Sequence, residues 1–177
     1  MKGLVFTEFL EMVESAYGME TTDELLELPT HESKGIYTSV GTYDATELVA
    51  MVVRLAEMTD ASIPDLLTGF GEYLFVRFHE KYPEMFVEKE TASQFLVSVH
   101  GHIHVEVRKL YPEASLPEFA YSEREGALVM TYSSNRPFAM LALGLIRGSL
   151  KHFGGMQSVT CELLAPQDGT HAAFTIK

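Results

Sequence analysis

The spacing of apolar residues in this 177-residue chain changes two-thirds of the way along, and this change limits the fold more than any other feature. Before it, apolar side chains recur every three to four residues, as on one face of a helix. After it, short extended runs alternate with turns that contain glycine. The order predicts an α+β fold in which an N-terminal helical lobe is followed by a C-terminal antiparallel sheet with an intervening helix.

The helical pattern predicts helices over residues 4–13 (ending near Gly18), 24–28 (capped by Thr22 or Asp23), 44–58, 63–82 and 137–153 (ending at Gly154-Gly155). Strands are predicted over residues 119–122, 128–134, 159–164 and 172–176. The segments 123–126 and 166–169 have the composition of hairpin turns. Because no low-complexity linker separates these elements, the sequence predicts one domain over residues 1–177.

Residues 97–107 fit two patterns. Their odd positions are mostly apolar and their even positions mostly polar, which is typical of a half-buried strand. A strand would align His100, His102 and His104 as an array able to bind zinc or non-haem iron in a metalloenzyme. A helix would bring only His100 and His104 near one face. We favour the helix, because the apolar segment 92–110 is far longer than the usual strand of about five or six residues and Thr91 or Ser93 can cap it.

A second polar cluster follows in the run Tyr132-Ser133-Ser134-Asn135-Arg136. In an extended segment alternate side chains share a face, so Tyr132, Ser134 and Arg136 would point in one direction. Arg can bind one carboxylate with two charge-assisted hydrogen bonds while Tyr and Ser donate to a second. The run therefore predicts a site for a ligand with two carboxylates.

Taken in order, these motifs resemble the H-NOX family of haem-based nitric oxide and oxygen binding domains, the bacterial relatives of the haem domain of soluble guanylate cyclase. The resemblance covers nearly the whole chain. It rests on Met1-Lys2-Gly3, the segment 78–86, His104, Pro117 thirteen residues later, the Y-x-S-x-R run and the segment 143–149.

The resemblance implies a haem b (iron protoporphyrin IX) between the two lobes. It implies that His104 is the iron ligand and that Pro117 packs against the porphyrin and distorts it. Tyr132, Ser134 and Arg136 would then hold the haem propionates. The expected distal wall is Phe9, Leu74 and Leu141, none of which can donate a hydrogen bond to bound dioxygen.

The implied function is that of a gas sensor and not an enzyme. Without a distal donor the haem should bind nitric oxide and carbon monoxide and exclude oxygen. With no output domain in the chain, the signal should pass to a separate protein, a histidine kinase or a cyclic-di-GMP enzyme. The alternatives left open are the metalloenzyme built on the histidine array and a haem storage or transport protein.

Composition supports these expectations mainly by exclusion. With 13 basic and 25 acidic residues the net charge is −12, which opposes binding to nucleic acid. Apolar runs are too short to cross a membrane. The single cysteine, Cys161, cannot form an internal disulfide and is expected to be a small side chain in a strand, so a cytoplasmic location is predicted. The histidines without a partner pattern are expected at the surface: His31, His79, His152 and His171.

Overall fold

Helices occupy the first part of the chain and an antiparallel sheet the last, which confirms the predicted α+β fold. The computed structural model describes residues 1–29, 31–154 and 156–177, apart from the side chain of Leu110, so the predicted helix end at Gly155 lies outside the described residues. The chain divides into two units, Met1–Phe70 and Gly71–Lys177. The prediction of one domain stays a prediction.

The first unit is helical and buries one apolar face of each helix. Its helices are α1 (Gly3–Tyr17), α2 (Met19–Leu26), α3 (Ala45–Thr59) and the first part of α4 (Ile63–Lys81). Asp44 caps α3 by accepting a hydrogen bond from the Thr46 amide at 2.8 Å. The fully buried side chains include Phe6, Phe9, Val13, Leu25, Leu48, Met51, Leu55 and Phe70. The predicted helices 4–13, 44–58 and 63–82 are confirmed.

The second predicted helix begins earlier than expected. Gly18 ends α1 with φ of 90°, and α2 starts at the next residue, Met19. Thr22 and Asp23 therefore lie inside α2 and not at its cap. The Thr22 hydroxyl donates to the Gly18 carbonyl at 3.2 Å, as a threonine within a helix can. Gly18 alone therefore connects α1 to α2, and the second helix begins before the cap that the sequence predicted.

Residues 92–110 are helical, so the alternative strand is wrong. Helix α5 (Ala92–Ser98) is followed by a wide π-helical turn (Val99–Ile103) and by α6 (His104–Leu110). Thr91 is the cap of α5: its hydroxyl accepts from the Gln94 amide at 3.2 Å, and the Gln94 side chain accepts from the Thr91 amide at 3.3 Å.

The sheet of the second unit is antiparallel, with strand order β1-β2-β4-β3. Its strands are β1 (Glu118–Arg124), β2 (Ala127–Ser133), β3 (Val159–Leu163) and β4 (His171–Ile176). Between β1 and β2 lies a two-residue turn, Glu125-Gly126, in which both residues have positive φ. One face of the sheet packs with α5 and α7 (Ala139–Phe153) in a core that includes Leu96, Met130, Leu143, Ile146 and Phe174.

Helices α4 and α7 approach closely in the second unit because glycines line their contact. A Cβ atom on Gly71 would lie 2.7 Å from the Gly144 Cα, and one on Gly148 would lie 2.6 Å from the Phe75 Cβ. Within the described residues, every helix is too short or too polar to cross a bilayer.

Candidate functional site

His104 begins α6, directly after the wide turn, and its imidazole is partly buried. Its Nδ1 atom is shielded from solvent and has no hydrogen-bond partner among the described residues. Burial is the main cause that lowers its pKa to about 4, and His100 and Arg108 add to the effect by repulsion, while the backbone of Pro117 acts in the opposite direction. The imidazole is therefore neutral at pH 7, and its Nδ1 atom makes no hydrogen bond of good geometry with the described residues, although the Pro117 backbone lies beside the ring.

Rings and one proline surround His104. The Phe119 ring centroid lies 5.8 Å from that of His104, and the His100 centroid lies 6.3 Å away. Pro117 is half-buried in the loop that leads into β1. An unpaired neutral imidazole in an apolar setting is what a metal ligand requires, because a charged imidazole cannot bind a cation.

The histidine array is contradicted. His100 is half-buried and accepts a long hydrogen bond (3.4 Å) from the Phe119 amide, whereas His102 is exposed. On a helix the two side chains diverge. No group of three or more His, Cys, Asp or Glu side chains in the described parts of the chain could hold a metal ion. The described residues therefore do not form the histidine array on which a zinc or non-haem iron enzyme would depend.

The run from Tyr132 to Arg136 is extended only at its start. Strand β2 ends at Ser133, and the chain then bends, so the Arg136 amide donates to the Ser134 hydroxyl at 3.2 Å. The Tyr132 hydroxyl donates to the Arg136 carbonyl at 3.4 Å. The three residues are brought together by this bend and not by strand alternation. Tyr132 is buried, and burial raises the pKa of its phenol, so it remains a hydrogen-bond donor.

The Arg136 side chain connects this bend to the loop before β1. Its guanidinium donates to the Ser115 carbonyl at 3.0 Å, two residues before Pro117. A guanidinium has five N–H donors in a planar fork, so this single bond leaves capacity for a carboxylate.

Phe119 was missed by the sequence analysis although it links the two predicted clusters. Its ring lies 5.8 Å from the His104 ring and 5.7 Å from the Tyr132 ring. Phe119 and Tyr132 are paired across β1 and β2. The signal was available in the sequence, because a hairpin turn at 125–126 fixes this register.

The residues expected at the distal wall are all buried. Phe9 is inaccessible and packs edge-on against Phe70, at 5.1 Å, in the first unit. Leu74 on α4 and Leu141 on α7 are 2% and 7% exposed and belong to the second unit. All three side chains are apolar, so they offer no hydrogen-bond donor to a bound ligand.

The remaining histidines follow the surface prediction only in part. His152 is exposed, whereas His79 and His171 are half-buried. For His31 the prediction is wrong: it is 6% exposed, with Nδ1 3.3 Å from the Tyr37 hydroxyl, which in turn donates to Glu47 at 2.7 Å. These partners lie in a loop and in the next helix and form no recognisable motif with His31, so its burial could not be inferred. Cys161 is half-buried in β3, as expected.

The donor set suits haem. The Phe119 ring centroid lies 5.8 Å from that of His104 and 5.7 Å from that of Tyr132. His104 offers a neutral imidazole, and Tyr132, Ser134 and Arg136 offer two hydroxyls and a guanidinium. These groups match an iron and a pair of carboxylates, respectively.

Comparisons with known proteins agree with this chemistry. The sequence profile of the family described as haem-NO-binding matches residues 2–162. The unliganded Fe(II) H-NOX protein of K. algicida is 38% identical, with a TM-score of 0.94 over 100% of this chain and 96% of that one. The H-NOX protein of S. oneidensis in the Fe(II)NO state is 28% identical, with a TM-score of 0.90 over 100% of this chain and 98% of that one.

A third solved structure, the IWP-051-bound H-NOX of Shewanella woodyi in the Fe(II)CO state, is 38% identical, with a TM-score of 0.82 over 100% of this chain and 94% of that one. Among curated proteins, none matches the chain. The profile covers most of the sequence and the first and third of these structures are more than one-third identical to it. The chain therefore belongs to the H-NOX family of haem-binding gas sensors, which are sensor domains and not enzymes.

Proposed function

We propose that this chain senses nitric oxide through a haem b bound by His104, also binds carbon monoxide, excludes oxygen, and signals to a separate protein. Haem supplies a ferrous iron that binds diatomic gases. Two of the relatives support the choice of gases, since the S. oneidensis protein was solved with nitric oxide and the S. woodyi protein with carbon monoxide.

The observation that carries the proposal is the state of His104. Its Nδ1 atom is buried and makes no hydrogen bond of good geometry with the described residues, which is costly for a polar atom unless a ligand completes it. Burial also lowers the imidazole pKa to about 4, so the ring stays neutral and can bind iron over the physiological pH range. The backbone of Pro117, in the loop before β1, lies beside the His104 imidazole, and we propose that the rigid proline ring presses on the porphyrin.

The propionate site is proposed at Tyr132, Ser134 and Arg136. The Ser134 oxygen accepts the Arg136 amide hydrogen, and its hydroxyl stands beside the Tyr132 phenol, from which its O–H can turn to donate to a carboxylate. The Tyr132 phenol is held by a long bond of 3.4 Å that a carboxylate can replace. Arg136 adds the positive charge that two carboxylates require in a partly buried place.

Exclusion of oxygen is proposed from the apolar side chains Leu74 and Leu141, together with Phe9 in the first unit. Dioxygen bound to iron is strongly polarised and gains from a hydrogen-bond donor, whereas nitric oxide and carbon monoxide depend on one far less. A distal wall without donors therefore favours the latter two gases.

The signalling partner is proposed from the resemblance to the family: a histidine kinase or a cyclic-di-GMP enzyme in the cytoplasm. His104 begins α6, so a change at the iron would act directly on the start of a helix. A kinase whose autophosphorylation changes only when the nitric oxide complex is added would support this part.

An absorption spectrum tests the central claim. The purified protein should show a ferrous haem Soret band that shifts with nitric oxide. His104→Gly should lose haem unless imidazole is added, while His102→Ala, an exposed neighbour two residues away, should keep it. A colourless wild-type protein, or a His104→Gly variant with the wild-type spectrum and no imidazole, would contradict the proposal. Ready transfer of wild-type haem to an acceptor protein would favour storage or transport instead.

A further inference from the structure

The turn before His104 contains one residue more than an α-helix needs. The His104 amide donates to the Val99 carbonyl, five residues back. In an α-helix this bond would go four residues back, as it does again where the Tyr111 amide donates to the Val107 carbonyl at 2.8 Å. A single wide turn of this kind absorbs one extra residue in an otherwise regular helix.

The extra residue decides where His104 points. Helix α5 buries Ala92, Phe95 and Leu96, which define the direction of its buried face. At about 100° per residue, an unbroken helix would carry His104 roughly 130° away from the centre of that face, toward solvent. With one residue absorbed by the wide turn, the angle falls to about 30°. The buried Nδ1 atom agrees with the smaller angle.

We propose that the wide turn Val99–Ile103 is a positioning device that rotates His104 from the solvent side onto the buried side, where it can bind haem. The inference rests on the proposed function, in which His104 is the iron ligand. It adds that one extra residue in the helix sets the direction of the His104 side chain, and that the types of the neighbouring residues do not.

Gly101 is the residue to remove in a test. It is exposed and has no side chain, so its deletion removes no side-chain contact, and an added Cβ would meet no atom within 4 Å outside its own helix turn. If the turn holds one extra residue, deletion of Gly101 converts the segment to a regular helix and leaves His104 pointing as before. Deletion of both Gly101 and the exposed His102 removes one residue too many and rotates His104 by about 100°. Gly101→Ala is the control for the side chain alone.

The iron–histidine stretching band in the resonance Raman spectrum is the first measurement. It should be retained in Gly101→Ala and in the single deletion. In the double deletion it should be lost and recovered when imidazole is added, which shows an intact pocket with a misdirected ligand. Insertion of one alanine after Gly101 should also rotate His104 and give the same result. If the double deletion does not fold, the insertion variant takes its place in the test.

A second measurement uses the haem-free protein. The rings of His104 and Phe119 have centroids 5.8 Å apart, close enough for a contact in NMR spectra. This contact should survive the single deletion and vanish in the double deletion.

Different results would contradict the role of the wide turn and the role of His104 as the haem ligand. Loss of the Raman band or of the ring contact on single deletion, failure of that variant to fold, or persistence of both signals in the double deletion and the insertion would overturn the inference. Absence of the band from the wild-type protein would refute the proposed function, while the ring contact would still test the direction of His104.

Discussion

Arg136 provides the sharpest test of the propionate site, because it is the only cation in the run of five residues from Tyr132. Arg136→Ala removes a guanidinium that donates to the Ser115 carbonyl at 3.0 Å and that we expect to pair with a propionate. A hydrogen bond to a charged group contributes about 1.5–3 kcal/mol. Since about 1.4 kcal/mol corresponds to a factor of ten, the haem dissociation rate should rise by about 10- to 150-fold.

The assay is transfer of haem to an excess of an acceptor apoprotein, followed by absorbance. Arg136→Lys keeps the charge but loses the planar fork, so its rate should lie between those of the wild type and the alanine variant. Arg124→Ala is the matched control, because it changes the net charge equally at an exposed position at the end of β1. Its haem dissociation rate should stay at the wild-type value.

Two results would refute the reasoning. If Arg136→Ala released haem no faster than the wild type, the guanidinium would have no part in holding it. If Arg124→Ala released haem as fast as Arg136→Ala, the effect would arise from net charge and not from a contact at the site.

Three further predictions concern the haem pocket and the first unit. Pro117→Ala should flatten the porphyrin and shift its reduction potential with His104 still bound, and a crystal structure with unchanged distortion would argue against this role. The ferrous protein should form no stable oxygen complex in aerated buffer, whereas Leu141→Tyr should gain partial oxygen binding; a long-lived oxygen spectrum of the wild type would contradict the apolar distal wall. The buried Glu47 carboxylate accepts hydrogen bonds from Ser33 and Tyr37, at 2.5 and 2.7 Å, and these bonds hold its pKa below the ordinary value of 4.5 despite burial. The unfolded chain therefore takes up the proton first, and the stability from Glu47 is present above pH 4.5 and lost as the pH falls. Glu47→Gln should lower the free energy of unfolding at pH 7 and flatten its decline in acid, as measured by urea unfolding at several pH values.

Most elements were predictable because each has a local cause. The apolar stripe of α3 and its Asp44 cap, and the glycine turn between β1 and β2, are encoded within a few residues. Of the site residues, Tyr132, Ser134 and Arg136 were named from a short motif and the others from the resemblance to the family, and the roles of all of them stay predictions. The burial of His31 was not predictable, because it depends on a loop fold that brings Tyr37 to the imidazole and Glu47 of α3 to Tyr37.

The sequence pattern suggested the wrong backbone conformation in two segments, for different reasons. Between 97 and 107 the sequence alternates like a strand, but Val97 and Val105 are exposed while Val99 and Ile103 pack against the core. In the helix with its wide turn, the two residues that face the core both have odd numbers, which imitates the alternation of a strand. At 132–136 the pattern suggested an extended segment, but side-chain bonds to the Arg136 backbone closed a bend. The spacing of apolar and polar residues alone cannot reveal a wide helical turn or a bend that side-chain hydrogen bonds stabilise.

Aromatic rings packed around Phe95 hold α5 in place within the second unit. Phe95 lies 4.8 Å from the stacked Phe86 ring and 5.7 Å from Phe75, and the Tyr121 hydroxyl donates to the Leu96 carbonyl at 2.9 Å. Helix α6 beyond the wide turn carries the exposed Val105. Because α5 is held by these contacts and α6 begins at His104 itself, we expect any rotation of the His104 side chain to be absorbed in the wide turn and in α6 and not in α5.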